Sequence, residues 1–359
     1  MQLKQGRSTK IKYNKAFKSD SQRLAVSLRS SVAKRCSHLN AALTNSFDPV
    51  NKLKRNVYMT SKEHFKPIPC HADYLKRLSN PYGMKCNRLL DDFDFYYKSG
   101  KVDLYDVSLA GLSLTSCLYH KVGDIESSLR AMDMHQYFDI KLVQSQLLSD
   151  GETISVVLPK AEVTLVAKKD EYNGLEGALY LTYLSWLSLF CEQVSDIEYL
   201  ANLADHPNTE WYNVRSRTFF ELQMVMLGIK SGDVKSLIQK FIDVSTPEYL
   251  EGLAFEHANL VDLPTINVMT KVLNKSVCGE TEYQQAMYEA VKGHHKYWSQ
   301  KKLKEELTGY FSMPLLALAK LAYQKYGFHL GFETDYVPEA FYTRNMPEPS
   351  YSFLDIYKS

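Results

Sequence analysis

Two short segments decide which fold class the sequence predicts: KVGDI at residues 121–125 and KSGDV at residues 230–234. Each segment lies between two runs in which apolar residues recur at helical spacing. Its glycine can adopt the left-handed conformation that ends a helix, and its aspartate can cap the N-terminus of the next helix. Both segments therefore predict αα-hairpins with very short connections.

The apolar pattern after the second segment supports this interpretation. Four apolar residues fall at i, i+3, i+4 and i+7 and so form one face of a helix: Val234, Leu237, Ile238 and Phe241. The two segments lie 109 residues apart. That distance is too long for a short tandem repeat, so the sequence predicts similar construction at two places and no solenoid.

One part of the chain has the composition of strands. Thr153–Leu158 and Ala161–Ala167 are rich in Val, Ile and Thr, and Pro159-Lys160 separates them. Such runs with a turn signal between them predict a β-hairpin. The predicted fold class is therefore mainly α, with a multi-helix body of αα-hairpins and one small β-hairpin.

The C-terminal third has two clear helical patterns. The first is a helix from Thr281 to about Gln300, on which four residues share a face: Met287, Val291, His294 and Trp298. The second helix is predicted to be capped by Ser312, with Pro314 tolerated in its first turn and Gly327 at its end. Beyond it, the chain is expected to be extended over Phe328–Thr334 and to turn at Tyr336-Val337-Pro338.

Composition places the chain among globular proteins, with 45% hydrophobic and 23% charged residues in 359. Its most apolar stretch, Gly177–Cys191, is about 15 residues long, shorter than the roughly 20 that span a bilayer. We therefore expect a buried core helix there. Met1–Lys18 lacks the apolar core of a signal peptide, and the six cysteines form no CxxC pair. A cytoplasmic protein with reduced thiols is expected.

Charge is distributed unevenly along the chain. Residues 1–66 hold 15 Lys and Arg against 3 Asp and Glu, although the whole chain has a net charge of only +2. This asymmetry predicts a basic N-terminal arm over residues 1–66, with a helix from about Ser21, and an acidic helical body over residues 67–359.

Three C-terminal segments lie within a motif region of 284–340: HHKYW at 294–298, FSMPLLALA at 311–319 and ETDYVP at 333–338. These segments resemble the immunity protein 49 family of bacterial polymorphic toxin systems. A related group, the immunity proteins of polymorphic nuclease toxins, has a similar ending. The matching positions are interpreted as structural: His294, His295, Tyr297, Trp298, Pro314, Asp335, Tyr336 and Pro338.

The resemblance implies a function in binding. A member of this family is expected to be a mainly α protein that binds and blocks a cognate bacterial toxin. That toxin is expected to be a nuclease delivered by a contact-dependent or type VI secretion system. No enzymatic activity, catalytic residue, cofactor or metal is implied.

No motif of a well-known enzyme class occurs in the chain. The sequence contains no GxxxxGK[ST], GxGxxG, HExxH or GxSxG. His294 could be a general base or a metal ligand, but its apolar neighbours on the helix favour a packed histidine. Other candidates lack the further groups that a metal or acid–base site needs and are interpreted as ordinary surface or core residues: Asp91, Asp92, Asp94, Cys36 with His38, and Cys70 with His71.

An acidic region is the predicted partner-binding surface. Residues 150–210 contain 11 Asp and Glu and only three Lys and Arg. Opposite charge speeds the encounter with a basic partner, such as a nuclease with a positive cleft. The acids proposed to face the toxin are Asp170, Glu171, Glu176, Asp196 and Glu198.

An alternative function uses the other charged part of the chain. The basic residues 1–66 could contact phosphates, which would make this a helical nucleic-acid-associated protein. Aromatic residues are sparse there, so a platform on which bases stack is poorly supported. A toxin-binding protein remains the leading interpretation, and nucleic acid is not an expected partner.

Overall fold

The computed structural model describes residues 65–72, 75, 81–99, 104–146, 148, 151–166, 178–205, 214–273 and 279–357. Residues 1–64 of the predicted basic arm lie outside these ranges. So do three of the five acids predicted to face a toxin, Asp170, Glu171 and Glu176.

The described residues are mainly helical, as predicted. The α-helices are α1 Pro81–Ser99, α2 Leu104–Cys117, α3 Ile125–Gln146, α4 Ala178–Phe190, α5 Val194–Leu203, α6 Val214–Met226, α7 Val234–Asp243, α8 Gly252–His257, α9 Leu263–Leu273, α10 Glu280–Trp298, α11 Met313–Tyr326, α12 Glu339–Tyr342 and α13 Ser352–Tyr357. Two π-helical turns, Leu118–Val122 and Ala258–Asp262, and a 3₁₀ turn, Leu307–Gly309, complete the helical elements.

The first predicted αα-hairpin is confirmed by α2 and α3. Gly123 has a φ of 80°, in the left-handed region, and its N–H donates to the carbonyl of Tyr119 at 3.1 Å. The carboxylate of Asp124 accepts a hydrogen bond of 3.0 Å from the N–H of Ser127, so this aspartate caps α3. The two helices lie very close, since a Cβ at Gly111 would be 2.8 Å from the Cβ of His135.

The second hairpin, α6 and α7, is built differently from the prediction. Asp233 caps α7 as expected, accepting hydrogen bonds from two N–H groups of the first turn. The left-handed glycine is Gly228, with a φ of 73°, and not Gly232. Because α6 ends at Met226, the residue with a positive φ that follows the helix comes earlier in the chain than Gly232. Gly232 instead lies close to the end of α6, since a Cβ there would lie 2.8 Å from Cγ2 of Val225.

The β-hairpin is confirmed. β1 (Thr153–Val157) pairs antiparallel with β2 (Glu162–Val166). Its inner face packs on α3, where Val156 shares a buried cluster with Phe138. The backbone N–H of Val157 donates to the hydroxyl of Tyr137 at 2.7 Å, which fixes the hairpin to the helix.

The predicted core helix is α4. Trp186 and Phe190 are fully buried in the main hydrophobic cluster, together with residues of α5, α6, α9, α10 and α11. No helix in the described part of the chain combines the length and apolar character that a membrane crossing requires.

The end of α4 is held by an unusual buried lysine. Lys320 of α11 is only 2% exposed. Its Nζ donates to the carbonyl of Phe190 at 2.9 Å and lies 3.0 Å from a carboxylate oxygen of Glu192. Glu192 has a φ of 63°, the left-handed conformation that follows a helix. Lys320 therefore joins α11 to the C-terminal end of α4 and to the residue that follows it closely, Glu192.

Candidate functional site

Tyr336 is the centre of the C-terminal motif. Its side chain is fully buried, and its hydroxyl oxygen lies 2.7 Å from Nδ1 of His71 and 2.9 Å from Nδ1 of His295. The backbone N–H of His71 also donates to it, at 3.2 Å. Burial raises the pKa of Tyr336, so the phenol stays neutral. The hydroxyl joins α10 to the segment 65–72.

His294 is a packed histidine. It is 3% exposed, and its Nε2 lies 3.0 Å from the carbonyl oxygen of Gly309. A carbonyl only accepts, so Nε2 carries the proton and Nδ1 does not. Burial lowers the pKa of His294 to about 3. The ring is therefore neutral near pH 7 and is not poised to exchange protons there.

The two aromatic residues of the motif pack against neighbouring elements. Tyr297 is buried, and its ring centroid lies 5.0 Å from that of His257. Trp298 is half-buried against the 3₁₀ turn, where a Cβ at Gly309 would lie 2.7 Å from Cδ2 of the indole. Only a glycine lets this turn lie so close to the indole ring.

The start of α11 is organised by backbone contacts. Pro314 lies in the first turn, as predicted, and Ser312 occupies the N-cap position. The prediction that Ser312 caps the helix is wrong for its side chain, which forms no capping hydrogen bond. Ser312 is buried here, and its N–H donates to the carbonyl of Tyr336 at 3.0 Å. Pro338 directly precedes α12.

Asp335 is the motif residue that faces outward. It is exposed, and one carboxylate oxygen accepts a hydrogen bond of 3.2 Å from the hydroxyl of Tyr119 in the first π-helical turn. A pocket of ≈ 260 Å³ is lined here by Glu333, Asp335 and Glu339 among others.

The second π-helical turn lies against α10. A Cβ at Gly293 would lie 2.1 Å from the carbonyl oxygen of Leu260, so the two elements touch through backbone atoms. The same turn ends with a buried ion pair between Asp262 and Arg215 of α6, and Nδ1 of His257 lies 3.2 Å from that carboxylate.

Ser108, His135 and Asp139 form a buried polar network between α2 and α3. The three residues are at most 3% exposed. Ser108 donates directly to the carboxylate of Asp139, and its Oγ lies 3.4 Å from Nδ1 of His135. In a nucleophilic triad the histidine separates the serine from the acid and the serine is open to substrate. This set lacks both features and serves packing.

Asp196 and Glu198, the two acids of the predicted toxin-facing surface that the structure describes, differ in their exposure. Asp196 is half-buried in the first turn of α5, and its carboxylate accepts a hydrogen bond of 2.8 Å from Nε2 of Gln136. Burial raises the pKa of Asp196. Glu198 is exposed. Asp196 thus links α5 to α3, and Glu198 is the described member that is open to a partner.

A second acidic stretch, residues 241–270, was not among the predicted binding surfaces, and we call it the acidic segment. It contains five Asp and Glu and no Lys or Arg. Tyr249 within it is 69% exposed, the largest value among the exposed hydrophobic side chains that the structure describes. A count of charge in short windows would have found this segment.

Comparison with known proteins identifies the family. A family model described as Immunity protein 49 matches residues 126–341, from the start of α3 to α12. The match includes the three C-terminal segments and extends well upstream of them. No match was found among curated proteins or solved structures. The family model covers more than half of the chain, and the chain therefore belongs to the immunity protein 49 family.

Proposed function

We propose that this protein neutralises a cognate bacterial toxin by binding it, without chemistry of its own. The family match over residues 126–341 carries the proposal. The roles of the motif residues support it. His294 and Tyr336 are buried and hydrogen-bonded inside the protein, and burial keeps both neutral. Such residues maintain a surface and are not placed to attack a substrate.

The charge of the body suggests the kind of toxin. Residues 150–210 have a large excess of acids, and the acidic segment adds five more without a Lys or Arg. A nuclease that binds nucleic acid presents a positive cleft, which such surfaces complement. We therefore propose a nuclease toxin, delivered by a contact-dependent or type VI secretion system and met in the cytoplasm.

Co-expression tests the proposal directly. Cells that express the toxin encoded beside this gene should recover growth when this chain is present. The two purified proteins should then form a complex of fixed stoichiometry. Protection without a detectable complex would contradict the proposal, because it would point to enzymatic repair or detoxification.

Association kinetics test the predicted surface of residues 150–210. Asp170, Glu171, Glu176 and Glu198 are changed together to Lys, whereas Asp196 is kept because it binds Gln136 inside the fold. The expected result is slower association and a weaker salt dependence, because rim charges act mainly on the association rate and are screened over about 8–10 Å.

Truncation of the N-terminus separates this function from nucleic-acid binding. Residues 1–18 carry six Lys and Arg and no Asp or Glu. Their removal should leave association with a basic toxin unchanged or make it faster. If truncation abolishes binding and charge reversal does not, the basic arm is the active element, and its partner is acidic.

A further inference from the structure

Residues 242–256, which run from the end of α7 through most of α8, are mostly exposed. Ile242 is 43% exposed, Tyr249 69% and Leu253 37%, whereas Ser245 is the buried residue of the stretch. Side chains so exposed contribute little to the core. Exposed apolar groups gathered in one stretch and bordered by polar residues are typical of protein interaction sites.

Local hydrogen bonds hold this stretch in a defined shape. The N–H groups of Tyr249 and Leu250 each donate to the carbonyl of Thr246 at 3.0 Å. The hydroxyl of Ser245 donates to the carbonyl of Phe241 at 2.6 Å. Tyr249 is therefore presented on an ordered turn, which lowers the entropy that a partner must overcome on binding.

Four exposed acids lie in the same stretch of chain as these apolar residues. Asp243, Glu248, Glu251 and Glu256 form no salt bridge with any other described residue. The bonds they accept come from neutral groups: Nε2 of Gln239 to Asp243 at 2.8 Å, and Nε2 of Gln300 to Glu256 at 2.7 Å. Amide donors orient a carboxylate without neutralising it, so the stretch keeps a negative potential.

We infer that residues 242–256 form a docking surface for a basic patch of the toxin, with Tyr249 as its apolar anchor. The inference rests on the proposed function and names the surface and the charge of its partner. Tyrosine is enriched among interface hot spots, the few residues whose loss costs most of the binding energy. The uncompensated acids favour a partner rich in Lys and Arg and disfavour nucleic acid, whose phosphates they repel.

Binding kinetics with the purified, catalytically inactivated toxin encoded beside this gene test the inference. Tyr249→Ala should raise Kd about 30-fold, mainly through faster dissociation. Glu248→Lys with Glu251→Lys should slow association about tenfold at low salt, with a smaller difference at high salt. The matched controls Ile356→Ala, at a residue 67% exposed, and Asp91→Lys, at an exposed acid of α1, should bind as the parent does.

The outcomes separate this inference from the proposed function. If the parent chain forms no complex, the proposed function fails. If the parent binds and the variants at Tyr249, Glu248 and Glu251 bind equally well, the docking surface is elsewhere. Removal of residues 1–18 could strengthen toxin binding about tenfold while Tyr249→Ala leaves it unchanged. That result would mean that the chain's own basic segment, and not the toxin, occupies the surface. Each of the last two results overturns the inference.

Discussion

The carbonyl oxygen of Leu260 lies within 2.1 Å of the position that a Cβ would occupy on Gly293. Replacing an exposed glycine inside a helix with alanine usually raises the stability of the protein by about 0.5–1 kcal/mol. Here the added methyl group would meet a backbone atom of the second π-helical turn. That atom moves only if the turn moves with it.

We therefore expect Gly293→Ala to destabilise the protein by about 3 kcal/mol, the upper part of the range for overpacking. Unfolding in denaturant measures the change. Glu289→Ala on the exposed face of the same helix is the control and should alter stability by less than about 0.5 kcal/mol. A more stable Gly293→Ala variant would mean that α10 and the turn lie further apart.

Tyr336→Phe removes the hydroxyl that His71 and His295 share and leaves the ring in place. The expected loss in the free energy of unfolding is about 1–3 kcal/mol, because a ring nitrogen of each of these half-buried histidines loses its partner. Tyr249→Phe is the control, since that side chain is 69% exposed. Equal stability of the two variants would show that the shared hydroxyl does not stabilise the fold.

His294 should make stability depend on pH. Its pKa in the folded protein is lowered to about 3 by burial, whereas an unfolded histidine titrates near pH 6.5. Below about pH 6.5 the unfolded chain therefore binds a proton that the folded chain does not. Stability should fall with decreasing pH by up to about 1.4 kcal/mol per unit from this residue alone.

The measurement is the difference in unfolding free energy between the parent and His294→Gln from about pH 7 to pH 5. The difference between the two proteins is needed because other groups change stability with pH in the opposite direction. Asp133, whose pKa burial raises to about 6, favours the folded state as pH falls. Parallel pH profiles for parent and variant would mean that His294 titrates as an exposed histidine does.

Trp298→Ala should destabilise the protein by about 2 kcal/mol, below the 3–5 kcal/mol of a fully buried tryptophan. The reason is that the indole is half-buried on the 3₁₀ turn at Gly309. A thermal melt and a toxin-protection assay should be run side by side. A variant that melts like the parent but fails to protect would make Trp298 a contact residue.

Local chemistry made much of the fold predictable. Gly123 and Asp124 end one helix and begin the next through bonds to residues three or four positions away, so their pattern is visible in the sequence. The β-hairpin is equally local. Gly228 was missed because KSGDV offered a second glycine that fits the same turn chemistry, and only the point where α6 ends decides between them.

The contacts that build the motif region are not local and leave no periodic signal. His71 and Tyr336 are separated by 265 positions. Lys320 lies in an apolar run and is buried because it meets the end of α4 in space. Charge counting likewise could not distinguish exposed Glu198 from Asp196, whose carboxylate is bonded to a neighbouring helix.

The pairing of residues 65–72 with the motif determines how the protein can be divided. The family match begins at residue 126, but the N–H of Ile68 donates to the carbonyl of Glu333, and His71 reaches Tyr336. A fragment that begins at residue 126 would also lose α2, which packs against α3. The smallest portion suitable for expression, or for grafting onto another protein, therefore includes residues 65–72.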